Sequence, residues 1–257
     1  MSADAGAPDA ASQKSAARTG LLAALTAYTL WGMFPLYLKA LSSVPAVEIL
    51  AHRIFWSAPF GALILTARHQ WADVFAALRS PRIVGALSIA ALAIALNWLI
   101  YVWSVTHDRI LEASLGYYIN PLMYVAAGVF ILGEKLRKLQ IISVLMASAG
   151  VLALTLGVGV FPWVSFSLAI LFTAYGYIRK VAPVGAMPGL FIEVSLLAPF
   201  ALLYLFWITQ SGDGAFLGGD GALDGLLVLA GPVTVIPLVM FAVAARRLSL
   251  IMLGFIQ

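Results

Sequence analysis

The chain has 257 residues, of which 63% are hydrophobic and 10% charged, with a formal net charge of +4 and a mean hydropathy of +1.01. About a quarter of a soluble domain is charged, because a folded surface needs polar cover; this composition excludes such a domain and sets the surface against lipid. There is no cysteine, which excludes disulfides and thiolate metal sites, and His52, His69 and His107 are too far apart to form a metal-ligand motif, so no metal or cofactor is expected.

A helix crossing the hydrocarbon core needs about 20 mostly apolar residues. The chain holds eight such stretches, at 20–40, 45–66, 83–105, 112–132, 139–157, 162–178, 188–209 and 225–245, and a ninth begins near Leu248. Runs such as IVGALSIAALAIALNWLI lack the period-two alternation of a membrane β-barrel. The expected fold is therefore an all-α polytopic membrane protein. Ahead of the first span, residues 1–19 are rich in Ala and Ser and read as a disordered tail. Lys14 and Arg18 could open a signal peptide, but the apolar run continues through Trp31 and Tyr37 without a small-residue cleavage site, and the first span reads as retained.

The first span carries a stripe of Tyr28, Gly32 and Pro35 with Trp31 beside it, suited to stacking or to ordinary packing. The second holds Glu48, His52 and Arg53, residues that are costly at membrane depth and that usually face an interior or a wet cavity. For Arg53, pairing with Glu48 competes with binding of substrate. In the third span Asn97, Tyr101 and Ser104 share a face that should meet the fourth helix, while Trp98 and Trp103 read as headgroup-level belt residues.

The fourth stretch poses the sharpest question, because LEASLGYYINPLMYVAAGVFILGEKLRK places an amide and a proline inside an oil-soluble run. Pro121 cannot donate to the carbonyl of Tyr117, which then needs another partner or a wet cavity. Glu112, Gly116 and Asn120 fall on one helical face, either as part of a pathway or as interhelical glue. Gly133 and Glu134 end this helix before Lys135, Arg137 and Lys138, which can neutralise the acid, and the pair reads as structural or gating. Later in the chain, Tyr175 is a candidate stacking residue. Glu193 is a candidate proton carrier or an interfacial helix-start glutamate, and His52 joins it as a proton-coupling candidate.

Cations gather at alternate helix ends. With the amino terminus inside, Lys14, Arg18, Arg68, Arg79, Arg82, Lys135, Arg137, Lys138, Arg179, Lys180, Arg246 and Arg247 are cytoplasmic, leaving Lys39 and Arg109 outside. Residues 211–224 hold Asp213, Asp220 and Asp224 without a cation, as an external connection would. The basic balance thus reflects topology, and no nucleic-acid partner is implied. The halves also echo each other: YTLWG at 28–32 resembles FTAYG at 172–176, APF recurs at 58–60 and 198–200, and LGYYI at 115–119 resembles LGFI at 253–256. Each pair is offset by five spans, an odd number, so the second copy is inverted, as in secondary transporters whose substrate sits at the midplane.

Five stretches, WGMFPLYLK (31–39), EILAHRIFWS (48–57), NWLIYVWSV (97–105), LEASLGYYINPL (111–122) and LGEKLR (132–137), with RRLSLIMLGFIQ at the end, resemble the RarD branch of the EamA family in the drug/metabolite transporter superfamily. The resemblance implies ten helices in two inverted five-helix halves, both termini cytoplasmic, and export or exchange of small metabolites or drugs; RarD-like proteins are associated with chloramphenicol sensitivity or resistance. Residues 20–157 would be the first repeat and 162–257 an incomplete second one, with Gln257 about one-third along its span and roughly 40 residues still to come. The expectation is a secondary transporter in the bacterial inner membrane that moves a small organic solute, with protons as the candidate exchanged ion. Trp31, Arg53, Asn97, Tyr117, Asn120 and Tyr175 are its pathway candidates. Gly133, Glu134 and Pro121 are its structural signature, and the alternatives are a membrane enzyme acting on a lipid-linked substrate or a non-transporting assembly subunit.

Overall fold

Backbone groups in hydrocarbon have no water to satisfy them and must bond within their own segment, which leaves helix as the conformation for isolated apolar runs. The computed structural model describes residues 10–107, 109–158 and 162–257, and its regular elements are helices. Eight are long: α1 (Ala10–Ala40), α2 (Ala46–Ala67), α4 (Pro81–Thr106), α5 (Ile110–Phe130), α6 (Lys138–Val158), α7 (Trp163–Val181), α8 (Ala186–Ser211) and α9 (Gly221–Arg247). Two are short, α3 (Trp71–Leu78) and α10 (Leu250–Ile256). The chain is a multi-pass membrane protein: six helices (α1, α2, α4, α6, α8 and α9) are long and apolar enough to cross a bilayer.

Each expected span falls on a long helix, but α5 and α7 stand outside those six. They carry more polar groups, and much of their surface is turned to other helices. α1 starts earlier than expected: residues 1–9 lie outside the described residues, and from Ala10 the supposed tail is already helical, in keeping with the high helix propensity of alanine. α3 was not foreseen. It is far too short to span, and it turns Val74 and Ala77 inward while Phe75 and Leu78 stay exposed.

Helix ends follow local chemistry. Pro81 occupies the first turn of α4, where its missing N–H costs nothing. The Asp220 side chain accepts from the amides of Ala222 and Leu223 to cap α9. Gly212 ends α8 in the left-handed region at φ 78°.

Packing sorts the helices into pairs: α1 lies along α9, α4 along α7, and α2 along both α8 and α9, while α5 lies between α7 and α10. Small residues permit these approaches. Ala23, Ala24 and Ala27 of α1 are buried with Ala244 and Ala245 of α9 in the main core, whereas Leu22, Leu25 and Met33 point outward. At Gly231 of α9 the backbone of α2 comes so close that a Cβ would lie 2.5 Å from the Trp56 carbonyl oxygen. α6 packs mainly on α5, and none of its apolar window is buried within the protein.

Candidate functional site

Two layers fill the interior of the bundle. One is an aromatic cluster built on Phe241 of α9, whose ring lies 5.7 Å from Trp31, 5.3 Å from Phe172 and 5.9 Å from Tyr175. Tyr28 and Tyr124 complete it. Next to it is a cavity of about 360 Å³, bounded by α1, α2, α4, α5, α7 and α9 and by Gln257, within the usual size range of small-molecule sites. The cavity takes the C-terminal halves of α1 and α4 and the N-terminal halves of α2, α5 and α7. The cluster therefore lies between it and the helix ends that carry Arg179, Lys180, Arg246 and Arg247.

The cavity brings together Trp31, Arg53, Asn97, Tyr117 and Asn120 from four helices. Arg53 is held on three sides. Its Nε–H donates to Thr234 Oγ1 at 3.0 Å, and its guanidinium carbon stands 4.7 Å from the Phe34 ring centre and 4.6 Å from that of Trp98, a double cation–π arrangement. Both asparagines clasp α7: Asn97 donates to the Leu168 carbonyl at 2.9 Å, and Asn120 donates to the Ala169 carbonyl at 3.1 Å and to Thr173 Oγ1 at 3.2 Å. With its nitrogen so engaged, Asn120 is 3% exposed and its Oδ1 has no hydrogen-bond partner among the described residues.

Several expectations change here. Asn97 bonds α7 rather than α5, although Tyr101 on the same face does meet Tyr117 of α5 at 6.2 Å. The contemplated Arg53–Glu48 pair is not made: Glu48 accepts from the Ala215 amide at 2.8 Å and lies 3.8 Å from His52 Nε2. Trp98, expected in the headgroup belt, covers Arg53. Thr234 went unnoticed; its signal is being the one polar side chain between Asp224 and Arg246 in an otherwise apolar helix.

The remaining candidates lie away from the cavity. Tyr175 is fully buried, and its hydroxyl donates to Glu193 Oε2 at 3.4 Å. Glu193 pairs with Arg179 at 3.2 Å, both 1% exposed, and Arg179 Nη2 also donates to the Ala186 carbonyl at 2.6 Å. His52 sits in a second, smaller pocket with Glu48 and Phe216, and its Nδ1 accepts from Trp56 Nε1 at 3.2 Å. Pro121 faces α10, where a Cβ on Gly254 would lie 2.7 Å from the Pro121 carbonyl oxygen. Gly133, at φ 67°, turns the chain after α5. Glu134 then caps α10, accepting from the amides of Leu250 at 2.9 Å and Ile251 at 3.0 Å. The acid is thus satisfied by a helix N-terminus rather than by its neighbouring lysines.

The profile of the EamA-like transporter family matches residues 18–156, more than half of the chain. The chain belongs to that family. Within it, this EamA-like chain is RarD-like: it is 40% identical to protein RarD of Escherichia coli strain K12 over 240 residues, covering 93% of this chain and 81% of that protein. An uncharacterised transporter of Pseudomonas aeruginosa is 47% identical over 245 residues, covering 93% of this chain and 80% of that protein. A crystal structure at 20% identity superposes with a TM-score of 0.69 over 91% of this chain and 82% of its own, a likeness of fold alone.

Proposed function

We propose that this EamA-like protein is a secondary transporter that carries a small organic solute across the bacterial inner membrane by alternating access around the Arg53 cavity. The observation that carries the reading is the cavity itself, in which an arginine and two asparagines meet inside a bundle of membrane helices. The transporter names of relatives at 43% and 47% identity support it.

Packing supports the inverted repeat. If the stretches forming α1, α2, α4 and α5 correspond to those forming α7, α8, α9 and α10, the contact of α1 with α9 should have a counterpart in α7 with α4. Both contacts are extensive, and α2 with α8 maps onto itself. On this reading residues 20–157 and 162–257 are the two halves, and the cavity lies where they meet. Basic helix ends favour a cytoplasmic amino terminus. The aromatic cluster is then the cytoplasmic closure of a state whose cavity lies in the outer half of the membrane.

Reconstitution into liposomes tests the proposal. Vesicles containing the protein and loaded with a labelled metabolite extract should show saturable counterflow of at least one solute. No flux with any pool, together with modification of a lipid-linked substrate, would replace the transporter by an enzyme. Exchange against protons is a separable part of the proposal, with Glu193 and His52 as candidate carriers. Glu193→Gln should then abolish uptake driven by a pH gradient while leaving insertion intact, and unchanged gradient dependence removes Glu193 from the mechanism.

A further inference from the structure

We infer that the cavity takes a small organic monocarboxylate, its carboxylate on the free edge of Arg53 and its apolar or aromatic body among the surrounding rings. The inference rests on the transporter reading only in treating the cavity as a binding site.

Charge is the first argument. Arg53 lines the cavity, and among the described residues no acid pairs with it. Glu48 is taken by the Ala215 amide, Glu112 by Arg109 and Glu193 by Arg179, and the ionisable groups in its field are the phenols of Tyr37, Tyr117 and Tyr101. A guanidinium at membrane depth without a counter-charge is costly. Here an anion from solution can supply that charge. Since Arg53 is the single charged side chain lining the cavity among the described residues, its complement is one negative charge, which a carboxylate carries and a phosphate monoester exceeds.

Geometry is the second. Thr234 occupies Nε, and the rings of Phe34 and Trp98 lie against the guanidinium. The Nη1 and Nη2 hydrogens remain, and they have no partner among the described residues; their fork matches the two oxygens of a carboxylate. With Nε held by a hydroxyl and the guanidinium resting against two rings, the fork is positioned before any ligand arrives. The third argument is the rest of the wall, which is aromatic and aliphatic apart from the asparagines, tyrosines and Gln257. It suits an apolar body.

Intrinsic tryptophan fluorescence of the protein in nanodiscs provides the test, because Trp31 and Trp98 line the cavity. The probes are 3-phenylpropionate, benzoate and octanoate, with 3-phenylpropionamide, phenethylammonium, phenyl phosphate and chloride for comparison. At least one carboxylate should give a saturable change, with the amide, the ammonium, phenyl phosphate and chloride binding at least about tenfold more weakly. Arg53→Lys, which keeps the charge and loses the fork, should weaken carboxylate binding about tenfold or more. The inference is overturned by equal binding of the amide, by preference for phenyl phosphate or chloride, by no saturable carboxylate response, or by an unchanged Kd in a folded Arg53→Lys protein. The ligand series on the unmodified protein decides the matter even if the variant misfolds. Carboxylate binding without flux would sink the transporter reading and leave this inference. Flux of a neutral or cationic solute indifferent to Arg53→Lys would do the reverse.

Discussion

Glu193 can be identified from sequence as a residue that must have a reason to sit in an apolar run, but its partner cannot. Arg179 lies 14 positions away on the preceding helix, and only the tight turn between α7 and α8 brings the two together. The pair is fully buried, so removing one member leaves the other charge uncompensated. Such a loss usually costs about 3–5 kcal/mol, whereas replacing both members by apolar groups is often neutral. Glu193→Gln should therefore lower the unfolding midpoint in detergent, and the double variant Arg179→Met with Glu193→Leu should recover most of the loss. A double variant as unstable as the sum of its singles would show that the pair is not a coupled unit. The asparagines tell the same story: their polarity marks them as interior residues, whereas the choice of α7 as partner depends on contacts 71 and 49 residues distant.

For single helices, the hydrophobic pattern reveals existence and rough limits because it is a local property. What it misses is an element too short or too mixed to resemble a span, such as α3, or an interaction whose halves lie far apart. Glu134 caps α10 across 116 residues, so its role could not be read from the cations beside it. Glu134→Ala should cost about 1–2 kcal/mol at that helix start. Measured by amide hydrogen exchange, it should raise the rate at Leu250 and Ile251 by about tenfold for each 1.4 kcal/mol lost, and unchanged rates would deny the cap. Glycines separate in the same way. Gly231→Ala would force a Cβ against the Trp56 carbonyl and should lower the unfolding midpoint by the equivalent of about 1–3 kcal/mol. Gly150→Ala, with nothing within 4 Å of its Cβ, should be neutral or raise it slightly.

Across the whole molecule, the solvent was legible from composition alone, since 10% charge cannot cover a soluble surface, and the fold class from apolar runs long enough to span and without period-two alternation. The order of packing was not, because hydropathy says that a helix is in lipid and nothing about its neighbours. Orientation is the global property still open to a direct measurement. Reporters fused after Arg82 or Lys138 should be cytoplasmic, and one inserted within residues 212–221 should be external. An external reporter after Lys138 would reverse the chain and put the aromatic cluster on the outer side of the cavity.

The nearly unpacked α6 has a consequence for how the protein feels its surroundings. Its apolar span, 20 residues long, amounts to about 30 Å of helix, close to the hydrocarbon thickness of an ordinary bilayer. Since little protein holds its angle, a thinner membrane should be met by tilting α6 rather than by straining the bundle. A pair of spin labels, one on α6 and one on α9, should therefore drift in separation as acyl chains are shortened, while a pair on α2 and α9 stays fixed. The bilayer acts on this helix as a neighbouring helix would elsewhere, and its thickness becomes a variable of the tertiary structure.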